Sequence, residues 1–302
     1  MIKVKGEFKE PVISDKQWVT DILKRSKQVG CEFCFGNIFM WSPVYGSQIT
    51  TCQEGFFLCK STDDKPSYSM PKGGNDIKRC IDFLKSDARN MGHNLEIYAV
   101  TETEKQMLES LFPNKFRFHE SRNSFDYVYS TSGLASLSGK KYHSKRNHIL
   151  FFEKNYDWSY EDITADNIVE CIEMNRNWEQ ENKKKNEHEQ GTQKEEIAIK
   201  RAFENYEELD FKGGLIRANG EVVAYTFGEL LNENTFCTHV EKAFAEIRGS
   251  YPIINREFAK NTIGSFEFVN REEDLGIEGL RKAKLSYNPE MLVTKYRAVN
   301  ED

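Results

Sequence analysis

The chain has 302 residues, enough for one large domain or for two of about 150 residues each. Its aromatic content of 13% supports a sizeable core and excludes a globally disordered chain, while a formal net charge of −6 excludes a globally basic nucleic-acid binder. Seven cysteines scattered from Cys31 to Cys237 argue against a disulfide framework, and no stretch reaches the roughly 18 apolar residues of a membrane span, so the reading is a soluble cytoplasmic protein.

In chain order, Ser14 and Gln17 form a capping box that predicts a first helix with Trp18, Ile22 and Val29 on one side and Gly30 at its end. Cys31 and Cys34 form a CxxC pair. Two readings compete there: small buried thiols, which the spacing of the other cysteines favours, and a structural zinc site. Strands are predicted at Gln48–Cys52 and Phe56–Lys60, and an extended piece runs to Pro71 and the Gly73-Gly74 turn. Asn75 caps a helix with Ile77, Cys80, Ile81, Leu84, Ala88 and Met91 as its apolar stripe. A strand at Leu95–Val100, a helix near Glu102–Leu111, and strands near Phe116–His119 and Phe125–Tyr129 complete the first half.

The second half begins with SGKKYHSKRNHILFF, a basic linker helix. Thr164 opens a helix through Trp178. EQENKKKNEHEQGTQ has no apolar residue and reads as a solvated loop. A helix presenting Ile199, Ala202, Phe203 and Tyr206 follows. Two strands then meet at Asn219-Gly220, the strongest short hairpin signal. Further elements are a strand at Thr235–Ala243, a helix containing Ile254 and Phe258, a strand at Ser265–Val269, a helix at Ile277–Ser286 and a last strand at Met291–Val299. This alternation predicts an α/β fold. Its order is that of the GCN5-related N-acetyltransferase fold, and the first half follows it loosely. The expectation is two tandem modules, 1–137 and 138–302, each a mixed sheet flanked by helices.

Four constellations carry candidate chemistry. Arg248, Gly249, Ser250 and Tyr251 lie where a strand gives way to a helix, a place suited to an anion such as the coenzyme A pyrophosphate. Taken alone, a single glycine is a weak signal, and an ordinary strand-to-helix turn with Ser250 as N-cap and Pro252 in the first turn is the reading it favours. His239 and Glu241 stand two apart on a strand and so share one face, where a general base can meet an amine nucleophile. An edge strand with both groups solvated is the alternative. The string NREEDLGIEGLRKAKLSYNP follows a strand, and ligands bind at the carboxyl ends of strands in α/β sheets. Its Asn270, Arg281, Lys284 and Tyr287 are candidate substrate-binding residues, and Asp274 joins His239 and Glu241 as a candidate catalytic residue. Lys140, Lys141, Lys145 and Arg146 form the dense basic cluster, which either meets tRNA backbone or is a solvated helix.

LSGKKYHSKRNHI, HVEKAFAEIRGSYPIINREFA and NREEDLGIEGLRKAKLSYNP resemble the DUF2156 family, which is similar to the C-terminal domain of bacterial phosphatidylglycerol lysyltransferase. The resemblance covers nearly the whole chain. It implies a tandem acetyltransferase-like fold related to the Fem-type transferases, whose characterised relatives move an aminoacyl group from tRNA to a lipid headgroup amine or hydroxyl. This sequence lacks the transmembrane portion that the lysyltransferases carry in front.

The functional expectation is an acyltransferase working in a cleft between the modules. Its donor is aminoacyl-tRNA or an acyl-coenzyme A, and its acceptor is an amine or hydroxyl on a small molecule or a lipid headgroup. Arg281 and Lys284 face an anionic part of a ligand, Glu241 or Asp274 binds or deprotonates the acceptor, and His239 positions it. No resident metal is expected. The rival expectation is a non-catalytic sensor that uses the same fold to bind a ligand.

Overall fold

Helix and strand alternate as predicted in a computed structural model that describes residues 7–301 except 27–28, 52–54, 64 and 186–189. The first part of the chain forms α1 (Lys16–Arg25), α2 (Phe35–Tyr45), β1 (Gln48–Thr51), β2 (Phe56–Ser61), β3 (Ser67–Ser69), β4 (Lys72–Gly73), α3 (Ile77–Asn90), β5 (Glu96–Val100), α4 (Glu102–Leu111), β6 (Phe116–Glu120) and β7 (Asp126–Ser130). Then come α5 (Thr131–Ser136), α6 (His143–Asn155), β8 (Trp158–Asp162), α7 (Ile168–Lys185), α8 (Gln190–Glu204), β9 (Lys212–Ala218), β10 (Glu221–Asn232) and β11 (Thr235–Ala243). The chain ends with α9 (Ser250–Asn261), β12 (Phe268–Asn270), α10 (Glu278–Leu285), β13 (Met291–Val293) and β14 (Tyr296–Asn300).

These elements fall into two units whose segments interleave along the chain. Unit 1 holds the residues up to Asp126 with Glu273–Leu280 and Leu292–Asp302; unit 2 holds Tyr127–Glu272 and Arg281–Met291. Each is organised around a mixed sheet. In unit 1 the order is β1-β2-β3-β5-β14-β6, with β4 also on β2. There β3 and β5 run parallel and their neighbours antiparallel. Tyr68, Ile81, Leu84, Ile97, Leu108 and Ala298 fill its core. In unit 2 the order β7-β12-β11-β10-β9-β8 contains one parallel pair, β11 with β12. Its core joins Phe152, Ile253, Ile254 and Phe258 from the helices to Phe236 and Val269 from the strands. Fully burying such a side chain stabilises the fold by about 1.5–3 kcal/mol.

Local signals account for most elements. Thr101 and Glu104 cap α4 reciprocally, Thr101 N donating to Glu104 Oε2 at 2.9 Å and Glu104 N to Thr101 Oγ1 at 3.4 Å. Asn219 and Gly220 both take positive φ, 52° and 90°, as the tight β9–β10 hairpin requires. The helix α3 buries Cys80, Ile81, Leu84 and Ala88 of its expected stripe, while Met91 follows its end and is exposed.

Other expectations are corrected. Asp76, not Asn75, caps α3, because its carboxylate accepts from Arg79 N. The helix α1 ends at Arg25, so Val29 lies beyond it and is 46% exposed. No element was expected at α2, whose FGNIFMW stretch is apolar on nearly all sides and carries no period to read; it is a buried helix. The charged run after Trp178 continues α7 to Lys185, and α8 begins at Gln190; Glu, Lys and Gln are strong helix formers that need no apolar stripe. Residues 186–189 of that expected loop lie outside the described residues. The strand expected at Ser265–Val269 is only β12, and the last expected strand breaks at Thr294-Lys295 into β13 and β14.

The cysteines expected as small buried groups are so where described: Cys31, Cys34, Cys59, Cys80, Cys171 and Cys237 are buried thiols outside any disulfide, and Cys52 lies outside the described residues.

Candidate functional site

Unit 2 brings polar groups together at the carboxyl ends of β11 and β12, the two parallel strands. Arg271 follows β12 directly, and its Nη2 donates to Glu241 Oε1 at 2.8 Å. Asn255 of α9 donates from Nδ2 to the other oxygen of that carboxylate at 3.2 Å. Above this group lie two tyrosines. The Arg271 guanidinium is 4.9 Å from the Tyr287 ring centroid and 5.5 Å from that of Tyr129. The Lys145 ammonium, from α6, lies 3.9 Å over Tyr287. Burial opposes the charge on Arg271, but the Glu241 carboxylate outweighs it and holds the guanidinium charged. Lys145 has less compensation: burial, then the nearby Arg271 charge, lower its pKa to about 8 against the pull of Glu241.

Two polar atoms in this cluster are buried and lack a hydrogen-bond partner, Arg271 Nη1 and Asn255 Oδ1. One is a donor and the other an acceptor. Leaving such atoms unpaired costs about 1–3 kcal/mol each, so a polar guest that meets both is favoured.

The two strand residues expected on one face are separated by a β-bulge. Phe227 of β10 faces Val240 and Gly228 faces Thr238, leaving His239 as the extra residue. Gly228 makes this possible, since a Cβ there would lie 1.9 Å from Cys237 O. The pleat therefore loses its phase between His239 and Glu241. Glu241 meets Arg271 and Asn255, whereas His239 packs its ring against Phe211. His239 sits between two carboxylates, with Nδ1 2.8 Å from Glu272 Oε1 and Nε2 3.0 Å from Glu229 Oε1. Burial lowers its pKa, but the Cys237 sulfur and the two carboxylates overcome burial and hold it well above 6.5. The arrangement makes His239 a charged clamp with both ring nitrogens engaged.

That clamp has a pH signature. A His pKa raised in the folded state stabilises fully below the unfolded value near 6.5, and the contribution fades as pH climbs through the folded value. His239→Gln is expected to destabilise the chain by about 1–3 kcal/mol at pH 6. Urea unfolding at pH 6 and pH 9 should show the gap between variant and wild type narrowing at the higher pH; a constant gap would mean His239 is not held as a cation.

The other predicted residues are placed as follows. Asn270 is buried, and its Oδ1 accepts from Glu272 N at 2.8 Å, closing the turn in which Glu272 takes φ 57°. Lys284 is buried and its Nζ donates to Arg271 O at 2.5 Å, which fixes the backbone that carries the guanidinium. Tyr287 is buried, and its carbonyl accepts from Tyr142 Oη at 3.0 Å. Arg281 is half-buried on α10. In unit 1, Asp274 is fully buried, accepting from Gly276 N at 2.9 Å and pairing with Arg122 at 3.2 Å.

The Arg248–Tyr251 turn is built differently from the expectation that Gly249 opens the backbone to a ligand. Gly249 has φ 99°, and a Cβ there would lie 2.4 Å from His148 O and 2.8 Å from Phe152 Cβ. Its lack of a side chain admits α6. Ser250 donates from N to Ile247 O and from Oγ to Phe244 O, both within the turn. Arg248 is exposed and lies 4.4 Å from the Phe151 ring centroid. The half-buried Tyr251 begins the helix with Pro252, which has no N–H to offer.

The basic cluster divides by role. Lys140 and Lys141 are exposed, Arg146 holds the preceding loop through Leu137 O and Gly139 O at 2.5 and 2.7 Å, and Lys145 turns to Tyr287. Arg271, Asn255, Tyr129 and the distinct role of Lys145 were not singled out from sequence. Arg271 carried one usable signal, a base immediately after a strand otherwise followed by acids.

Comparison with known proteins shows the family and the fold. The family model described as "Phosphatidylglycerol lysyltransferase, C-terminal" matches residues 23–299. A conserved protein of unknown function from Bacteroides thetaiotaomicron is 38% identical, with full coverage of both chains and a TM-score of 0.93. The C-terminal DUF2156 domain of a lysylphosphatidylglycerol synthetase from Agrobacterium fabrum, itself assigned as putative, is 14% identical over 96% of this chain and 92% of its own, with a TM-score of 0.68. FemX is 9% identical over 97% of each chain, with a TM-score of 0.64. The fold is thus that of the tandem acetyltransferase-like and FemX proteins. Among the described residues no helix is long and apolar enough to cross a membrane.

Proposed function

Since the chain belongs to the phosphatidylglycerol lysyltransferase C-terminal family, we propose that it transfers an aminoacyl group from an aminoacyl-tRNA ester to an amine or hydroxyl acceptor. The observation that carries this reading is the Arg271–Glu241–Asn255 group, with its unpaired donor and acceptor, at the carboxyl ends of two parallel strands. In the reaction the acceptor nitrogen or oxygen attacks the ester carbonyl. A new bond to that carbon forms, the bond to the ribose oxygen breaks, and the ribose hydroxyl leaves with a proton. Glu241 takes the acceptor's proton, or holds an acceptor ammonium until it is lost. Arg271 steadies Glu241. Holding both reactants in register supplies much of the acceleration in such transfers. Arg281 completes the donor side, while Lys284, expected there too, holds the backbone that carries Arg271. Lys140 and Lys141, exposed on the basic segment, meet tRNA backbone.

The Arg248–Tyr251 turn is the place an acyl-coenzyme A donor would use, and the close packing of α6 on Gly249 favours the tRNA ester instead. Thermal melting separates the two: a ligand at a hundred times its dissociation constant stabilises by about 2.7 kcal/mol. Lysyl-tRNA is expected to raise the melting temperature, acetyl-CoA is not, and radiolabelled lysine should pass to phosphatidylglycerol vesicles or to a small amine from a panel. Turnover with acetyl-CoA and with no aminoacyl-tRNA would overturn the reading.

A further inference from the structure

Two cations of unit 2 share a single counter-charge. Arg271 gives one nitrogen to Glu241, while its Nη1 is buried without a partner. Lys145 stands on the face of Tyr287, the ring that Arg271 also approaches, and the Glu241 carboxylate acts on its charge as well. Tyr129 donates its hydroxyl to Lys284 O, the Tyr287 phenol is held protonated by burial, and the Lys284 ammonium is turned to Arg271 O. On α6 itself, Arg146 is turned away to Leu137 O and Gly139 O, and His143 pairs with Asn147. Arg271 and Lys145 thus lean on the same carboxylate in a half-buried place, where low dielectric makes an unbalanced charge costly.

We propose that Arg271 Nη1 and Lys145 Nζ together form a receptor for one singly charged oxyanion, the chemistry shared by a phosphodiester and a free carboxylate. Glu241 already answers part of the pair's charge, which fits a monoanion better than a pyrophosphate. The tyrosine rings give the anion a dry wall on one side, and the half-exposed Lys145 gives it an entrance. The assignment deepens the transferase reading and rests on it only for the anion's source, a nucleic-acid or lipid phosphodiester on the one hand and an amino-acid carboxylate on the other.

The lysine makes binding pH-dependent with a definite sign. An ammonium with a pKa of about 8 is charged below that pH and attracts the anion, so affinity is highest in acid and falls as pH rises past 8. Calorimetric titration of the full chain with dimethyl phosphate, acetate and pyrophosphate at pH 7 and pH 9 tests this without any turnover. Dimethyl phosphate or acetate should bind one-to-one, at least severalfold more weakly at pH 9, and the better of the two identifies the anion's source. Lys145→Gln and Arg271→Gln should each weaken binding at least tenfold, and Lys154→Gln, exposed on α6, should not. If Arg271→Gln does not fold, the half-exposed Lys145→Gln carries the test alone. Binding that survives Lys145→Gln, tighter binding of pyrophosphate, or no binding of either monoanion overturns the proposal. A failed transfer assay with intact anion binding removes the transferase reading and leaves this receptor in place.

Discussion

Replacing Lys295 with methionine is expected to destabilise the folded chain by about 3–5 kcal/mol, the range for breaking a buried ion pair from one side. Lys295 is 1% exposed in unit 1. Its Nζ lies 2.6 Å from Asp126 Oδ1, 2.5 Å from Glu32 Oε1 and 3.6 Å from Cys31 Sγ. Asp126 is fully buried and also accepts from Cys31 N at 2.9 Å and from the Cys31 thiol at 3.3 Å. Burial lowers the lysine pKa, but Asp126, Cys31 and Glu32 together raise it well above its ordinary value, so the ammonium stays charged throughout the neutral range. Methionine fills the stem's volume and removes the charge, leaving Asp126 and Glu32 without their cation. Urea unfolding of the full chain measures the loss. The double variant Lys295→Met with Asp126→Asn removes both halves of the most deeply buried pair and should recover part of it. A single-variant loss under about 1 kcal/mol would place this lysine among ordinary surface pairs.

The same cluster answers the zinc reading of Cys31. Its sulfur and the carboxylates of Asp126 and Glu273 present ligand atoms within 4.8 Å of one another. The ammonium of Lys295 already supplies a positive charge against two of the three. Burial first, then Asp126 and Glu32, raise the Cys31 thiol's pKa well above its usual value.

The second large effect is on transfer. Glu241→Gln is expected to lower the aminoacyl transfer rate by about 10²–10⁴-fold, the contribution of a positioned general base. Glutamine keeps the length of the side chain and a hydrogen bond to Arg271, but it cannot take the acceptor's proton or balance an ammonium. Steady-state rates with saturating lysyl-tRNA and varied acceptor separate the roles. A fall in kcat with little change in KM assigns Glu241 to the proton; a rise in KM at constant kcat assigns it to holding the acceptor. Unchanged kcat and KM would remove Glu241 from the site. A melting curve on the same variant shows whether the loss of the Arg271 partner has reduced the folded population.

Much of the architecture could be read before any coordinates. The Asn219-Gly220 hairpin, the bounds of β11, the stripe of α3 and the α4 helix all rest on chemistry that acts over a few residues. The errors also have local causes. Phe35–Trp41 is too uniformly apolar to show a helical period, and the charged stretch after Trp178 is helical through propensity alone.

The site was legible in part. Glu241, Asn270, Lys284 and Tyr287 were chosen for lying on or after strands in polar strings, and in unit 2 each touches Arg271 or belongs to the segment that carries it. Their pairings were not legible. Strict alternation put His239 beside Glu241, and a one-residue bulge set by the missing side chain of Gly228 parted them. Lys145 looked like one base among four in a solvated helix, yet its position over Tyr287 joins residues 142 positions apart.

By itself the sequence determined the α/β class, the order of helices and strands, and the polar strings that had to find a use, because propensity, periodicity and turn chemistry are properties of neighbouring residues. Tertiary structure alone decided which charges are paired, which are left over, and that the segments of the two units interleave. Those outcomes depend on distance and dielectric between residues remote in the chain, and no short-range pattern encodes them.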